Sequence, residues 1–260
     1  VTNPNLLMAL FAVSLFPAFM LAAEVGRRRG LAYLARDPEG LPKGTGAAEA
    51  SVYAVIGLIL AFSFSGADAR FEARRHLIMS EHNAIGTAYM QLDLLPEPAR
   101  SEVRKDFLLY LDSRIATYRE SYDRAAIEIH LKRTAAIKDR IWKKSVASTL
   151  DRGSHPNAST LLLPTLREMF DIATTRWLAL TDHPPLAILL LLTGMNMVGA
   201  MLSGFATSVN KRRPWFYTWI LASVLSVTQY VIVDLEFPRI GLIRLDAADQ
   251  YLVELRASLP

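Results

Sequence analysis

Four stretches of this chain are nearly free of charge, and a long charged segment separates the second from the third. The first runs from about Leu6 to Ala23. At ~1.5 Å rise per residue it barely crosses a hydrocarbon core of ~30 Å, and Pro17 marks a kink. Leu21-Ala22-Ala23 also fits a signal cleavage site, but no basic n-region precedes the stretch, which favours a retained span. The second runs from about Ala47 to Ala67, with Glu49 near its start and Ser63, Ser65, Gly66 and Asp68 around its last apolar turns. No breaker separates it from 69–94, so one long helix is expected to leave the membrane and to end at Pro96 and Pro98. The third covers Leu186 to about Val209 and the fourth Trp215 to Val233. Trp215, Tyr217 and Trp219 form an aromatic belt at the entry of the fourth.

The segment between the pairs is helical by its periodicity. Phe107, Leu108, Leu111, Ile115 and Tyr118 share a stripe in a helix expected from Pro98 to about Ile127. A second helix runs to about Leu150, and Arg152 to Asn157 is a loop. A further helix starts near Ala158 and carries Leu162, Leu166, Phe170, Ala173 and Trp177 before Asp182-His183-Pro184-Pro185. The expected fold class is therefore all-α, a polytopic membrane protein with a 2+2 arrangement of spans. Its parts are two spans over 1–68, an extramembrane helical domain over 69–183, two spans over 184–233 and a tail over 234–260 packed on the helical domain.

Composition sharpens this picture. Apolar residues make up 52% of the chain although 21% is charged, and the mean hydropathy is positive. Soluble domains are usually only about 45–50% apolar. Lys and Arg number 29 against 25 Asp and Glu. In a membrane protein this mild excess is positive-inside bias rather than a nucleic-acid footprint, and no nucleic-acid partner is expected. The two short loops carry Arg27, Arg28, Arg29, Arg36, Lys43, Lys211, Arg212 and Arg213. Asp37-Pro38-Glu39-Gly40 and Lys43-Gly44-Thr45-Gly46 are turn-like. Short basic loops stay in the cytoplasm, which favours the periplasmic side of a bacterial inner membrane for the helical domain. Arg70, Arg74 and Arg75 at the exit of the second span argue the other way.

Little points to catalysis. With no cysteine, thiolate metal sites and Cys nucleophiles are excluded. His76 and His82 lie six apart and do not share a helix face, and Glu81 completes no His-x-x-x-His or Glu-x-x-His pattern. There is no Gly-rich phosphate loop and no nucleophile elbow. No enzyme, metal or cofactor is expected. Gly199/Ser203 and Ala200/Gly204 are small pairs suited to close helix contact, and Asn196 and Gln229 are expected to hydrogen-bond across helices.

The most distinctive segment is Leu58-Ile59-Leu60-Ala61-Phe62-Ser63-Phe64-Ser65-Gly66-Ala67-Asp68-Ala69-Arg70-Phe71-Glu72-Ala73-Arg74-Arg75. It resembles the end of the second span in bacterial bestrophins, and Asn83 looks like a further family position. The layout of two spans, helices, two spans and a tail is similar too. Leu235-Glu236-Phe237-Pro238-Arg239 and Leu245-Asp246 echo the bestrophin segment after the last span. The chain resembles more closely the bestrophin-like family of bacterial membrane proteins, through Phe64-Ser65-Gly66-Ala67, the run Asn83 to Ala88 and the run Gly241 to Asp249.

This resemblance implies a homo-oligomeric ion channel, pentameric in bestrophins, whose second span lines the pore. Carried over by position, an apolar neck would be Ala54, Leu58 and Phe62, which i, i+4 and i+8 spacing puts on one helix stripe. Such a ring gates by dewetting. Ala54 is smaller than a usual neck residue, and the acidic calcium-binding run of animal bestrophins is absent, leaving Asp234 and Glu236 as isolated acids. The bestrophin helical domain is cytosolic, opposite to the side that loop charge favours. Glu49, Ser65, Arg70 and Arg74 are candidates for the pore mouth or vestibule. A ring of Glu49 would favour cations, but an acid there also snorkels to water. The arginines are equally read as headgroup anchors, or as partners of Asp234 or Glu236. The partners expected are the bilayer, inorganic ions and further copies of the chain. The alternative function is a non-conducting membrane scaffold or sensor whose helical domain binds a partner.

Overall fold

The structure, a computed structural model, describes residues 4–37, 40–41, 45–119, 124–210 and 212–260. The basic residues Lys43 and Lys211 and the turn residues Pro38, Glu39 and Gly44 lie outside the described residues. Eight α-helices occur among the described residues: α1 Pro4–Leu34, α2 Thr45–Gln91, α3 Ala99–Arg119, α4 Arg124–Thr149, α5 Ala158–Thr181, α6 Leu186–Ala206, α7 Trp215–Glu236 and α8 Asp246–Ser258. No strand occurs among the described residues. Four segments are long and apolar enough to cross a membrane: Asn5–Leu34, Gly46–Leu94, Ala158–Val209 and Trp215–Glu236. The protein is an all-helical, multi-pass membrane protein.

The chain divides into two compact units, 1–71 with 183–243 and 72–182 with 244–260. In the first, α1 packs along α6 and α7. Leu15, Phe19, Ala200, Ala222 and Leu225 form one core cluster, and Ala67, Leu192, Ile232 and Leu235 another. Bare backbone sets the α1–α6 approach. A Cβ on Gly26 would collide with the Met201 carbonyl, and one on Gly204 with the Ala23 carbonyl. Small residues permit this closeness, and dispersion then holds helices that no hydrophobic effect drives together in lipid. The sequence places Arg27–Arg29 in a loop, whereas the structure keeps them in α1 through to Leu34. Glycines at positions 26 and 30 lower helix propensity in isolation, but both face neighbouring backbone or side chains here, and tertiary packing overrides the propensity.

Polar groups inside the first unit find one another. Asn196 Nδ2 donates to Gln229 Oε1 at 2.9 Å, and Gln229 Nε2 to Thr193 Oγ1 at 2.5 Å. Tyr53 Oη donates to the Gly199 carbonyl at 2.9 Å. The sequence-level reading of Asn196 and Gln229 as cross-helix partners describes this pair.

The second unit has a continuous apolar core that includes Ile85, Ala88, Leu92, Phe107, Tyr110, Leu111, Ile141, Leu162, Leu166 and Met169. α8 packs on α3 and buries Leu252. The tail is divided, since 234–243 belong to the first unit and Arg244–Pro260 to the second. The helix expected to reach Ile127 is described only to Arg119, and Ile127 lies in α4. No Pro or Gly stands between them. α4 doubles back on α3, and Ser113 Oγ meets Thr134 Oγ1 at 2.7 Å.

Candidate pore helix and its charged end

Within the first unit, one face of α2 packs against its own chain and the other does not. Ile56 and Ala67 are almost wholly buried. Ala54, Leu58, Phe62, Ser65 and Asp68 are exposed, with Leu58 at 55% and Phe62 at 70%. At 100° per residue these positions fall on one stripe, opposite Ile56 and Ala67. Of the four apolar segments, α2 is least covered by its own chain: 11% of its most apolar stretch is buried, against 22%, 22% and 33% for the others. A leucine and a phenylalanine left bare on an otherwise small-residue stripe are surface for lipid, for another subunit or for a pore. Glu49, one turn before Tyr53, is half-buried.

At the other end of the apolar part of α2, Arg70 Nε donates to Glu236 Oε2 at 2.8 Å. The Glu236 side chain is 2% exposed and Arg70 36%, so the pair presents cationic edge to solvent and keeps its carboxylate inside. His183 Nδ1 lies 3.3 Å from Glu236 Oε1, and its ring rests 4.5 Å from that of Phe237. Phe62, Gly66, Arg70, Ile188, Ile232 and Glu236 line a cleft of about 200 Å³ beside this pair.

Asp234 has a different role. Its carboxylate accepts from the backbone N–H of Leu242 at 3.1 Å and of Ile243 at 2.9 Å. Gly241 between α7 and these amides has φ +97°, and a Cβ there would collide with Asp234 Oδ1. A glycine is needed on both counts. Asp234 thus ties the chain after α7 back onto the helix end. Of the four residues considered for pairing, Arg70 and Glu236 come together. Arg74, only 3% exposed, donates from Nε to the Ala179 carbonyl at 2.9 Å and from Nη2 to that of Asp182 at 2.8 Å, tying α2 to the end of α5.

Among the described residues, a buried polar cluster that no sequence motif announces lies in the second unit. Glu81 is fully buried. Arg114 Nε donates to its Oε1 and Arg176 Nη1 to its Oε2, both at 2.6 Å. Arg176 also reaches Asp249 on α8, and Arg114 reaches the Tyr118 hydroxyl and, at 3.2 Å, the Ala173 carbonyl. The Tyr118 ring lies under both guanidiniums, 4.9 Å from that of Arg114 and 3.5 Å from that of Arg176. Burial alone would raise the Glu81 pKa. The charges of Arg114 and Arg176 and their hydrogen bonds outweigh it and hold the carboxyl below its usual range. Burial pushes the Tyr110 and Tyr118 hydroxyls up, so both stay neutral. A signal existed in the sequence, because Glu81 falls on the same helix stripe as Ile78, Ile85, Ala88 and Leu92. A carboxylate among core positions calls for buried cations. No group of three or more metal-ligating side chains forms among the described residues.

The model of the bestrophin-like domain matches residues 7–248. The chain belongs to the bestrophin-like family. Solved structures agree on the fold. A bacterial bestrophin homologue from Klebsiella pneumoniae is similar over 95% of this chain and 99% of its own, with TM-score 0.72 at 16% identity. Two single-substitution variants of a Klebsiella pneumoniae homologue give 0.72 and 0.73 at 15% and 17% identity, covering 96% and 95% of this chain and 99% and 98% of theirs. The chain matches no curated protein sequence. Membership of the bestrophin-like family is consistent with ion conduction and gives no support to catalysis.

Proposed function

We propose that the chain is a subunit of a bestrophin-like ion channel of the bacterial inner membrane, assembled as a homo-oligomer, with five copies the favoured number. The observation that carries this reading is the bare α2 stripe in a protein of this family. Around an axis, Ala54, Leu58 and Phe62 become three stacked rings, the lower two apolar and wide-bodied, forming a neck that conducts when wet and closes when dry. Glu49 stands before the neck, and Ser65 follows it. The Arg70–Glu236 pair lines the far mouth, where its outward guanidinium raises the local concentration of anions. Arg74 has a structural role within its own unit, its guanidinium donating to the Ala179 and Asp182 carbonyls.

The helical domain is placed on the periplasmic side, as the short basic connections favour. The chain has no cysteine, so a single His155→Cys substitution in the loop before α5 reports the side without background. Labelling in intact cells by an impermeant thiol reagent is expected. Labelling only after lysis places the domain in the cytoplasm.

Assembly is tested by the mass of the purified particle together with its axial radius profile. A ring of identical subunits with an open axial path supports the channel. A closed dimer, or an axis filled by side chains, contradicts it and returns the chain to the scaffold reading.

A further inference from the structure

The apolar unit carries a second charged cleft, at the opposite end of α7 from Glu236. α7 has 22 residues, about 33 Å of helix, close to the ~30 Å of a hydrocarbon core. Its first residue therefore lies near one headgroup level when its last lies near the other. The cleft encloses about 320 Å³ and includes Glu24, Arg27, Arg28, Thr207, Arg213 and Trp215 in its lining.

Its charges do not cancel. Arg27 Nη1 donates to the Thr207 carbonyl at 2.9 Å and Nη2 to that of Asn210 at 3.4 Å, bonds that orient the guanidinium without neutralising it. Arg28 Nε donates to Glu24 Oε1 at 2.7 Å, and Arg213 reaches the other oxygen of the same carboxylate. The cleft lining thus carries three guanidiniums against one carboxylate, which two of them share. The Arg213 guanidinium also lies over the Trp215 ring, 4.4 Å from its centroid. The remaining lining is apolar, with Met20, Leu21 and Pro214, and Leu21 is 66% exposed. Trp215, Phe216 and Tyr217 stand exposed beside the cleft as an interfacial belt.

We propose that this cleft binds the phosphodiester headgroup of an anionic phospholipid. Planar guanidinium forks match non-bridging phosphate oxygens better than an ammonium would. Glu24 holds two of the forks in place, and the lining keeps two positive charges for the lipid's anion. The acyl chains lie along the exposed apolar surface that continues from Leu21. The lipid so held bridges α1, the turn after α6 and the start of α7.

The test uses the delipidated full-length protein in neutral detergent, titrated with phosphatidylglycerol, phosphatidylcholine or inorganic phosphate and read by native mass spectrometry. Phosphatidylglycerol is expected to bind saturably and phosphatidylcholine to bind at least tenfold more weakly. Arg28→Gln and Arg213→Gln, both on exposed arginines, are each expected to weaken binding by roughly fivefold. Arg212→Gln removes an equal charge just outside the cleft and is expected to leave binding within about twofold. Gel filtration of each variant checks that the fold is kept. Equal losses for all three variants would reveal a diffuse basic surface and overturn the proposal, as would equal binding of the two lipids. Competition by inorganic phosphate at concentrations equal to the lipid would overturn the lipid as the ligand.

Discussion

Glu81→Gln is a near-isosteric change that removes one charge from the centre of the helical unit. In the native cluster two cations, Arg114 and Arg176, face two anions, Glu81 and Asp249. The arginine side chains are 3% and 2% exposed, so water cannot replace the lost partner. Breaking a buried pair from one side costs about 3–5 kcal/mol. Against a total of about 5–15 kcal/mol, that is a large fraction of the unit's stability. At about 2–4 °C per kcal/mol the melting temperature should drop by roughly 6–20 °C. The folded Glu81 carboxyl binds its proton less readily than an unfolded glutamate. Its contribution is therefore complete above about pH 4.3 and drains away as pH falls below that value toward the folded pKa. The gap between wild type and Glu81→Gln, read by intrinsic-fluorescence melting, should be full at pH 7 and shrink progressively under acid. A drop of less than about 2 °C at pH 7, or a gap that widens on acidification, would refute the cluster as a stabilising network. Replacing Glu81, Arg114 and Arg176 together by Leu, Met and Met should cost far less than Glu81→Gln alone, because the one charge left, Asp249, is 20% exposed and reaches water.

Three further outcomes follow from the geometry. Gly204→Leu drives a side chain into the Ala23 carbonyl and should destabilise the apolar unit by at least about 1–3 kcal/mol, seen as a lower melting temperature in detergent. Asp234→Asn weakens two charge-assisted bonds to the amides of Leu242 and Ile243 and should cost about 1.5–3 kcal/mol, with faster hydrogen exchange at those two amides. Phe107→Ala empties a fully buried site and should cost about 3–5 kcal/mol in the helical unit, read by the same melting assay.

The span pattern was legible because it rests on composition over about 20 residues, which packing does not rearrange. The long α2 was legible for the related reason that nothing between Ala47 and Leu94 stops a helix. The continuation of α1 through Arg27–Arg29 was not, since its stability comes from backbone contact with Met201 and from the carbonyls of Thr207 and Asn210, far along the chain. The same holds for the packing of α4 on α3, which rests on contacts between residues distant in sequence such as Ser113 and Thr134. At the candidate site, sequence placed Arg70 and Glu236 near one membrane boundary but did not separate them from Arg74 and Asp234. Arg74 differs from Arg70 by one turn, enough to carry it to the α5 carbonyls. Glu81 completes no metal-ligand pattern in the sequence, and its place among Ile78, Ile85 and Ala88 marks it as a buried anion.

On the proposed function, α2 supplies the rate-limiting constriction of an ion pathway. Leu58 and Phe62 are exposed in the single chain, so trimming them opens no cavity in its own core. The direct test is ion flux through purified protein in liposomes for the wild type, Leu58→Ala and Phe62→Ala, with Leu10→Ala, an exposed position on α1, as control. The account predicts wild-type flux that rises roughly tenfold in the two α2 variants, the effect of lowering a dewetting barrier by about 1.4 kcal/mol, and no change in the control. Flux indifferent to Leu58 and Phe62, or no flux from a correctly assembled wild type, would contradict it.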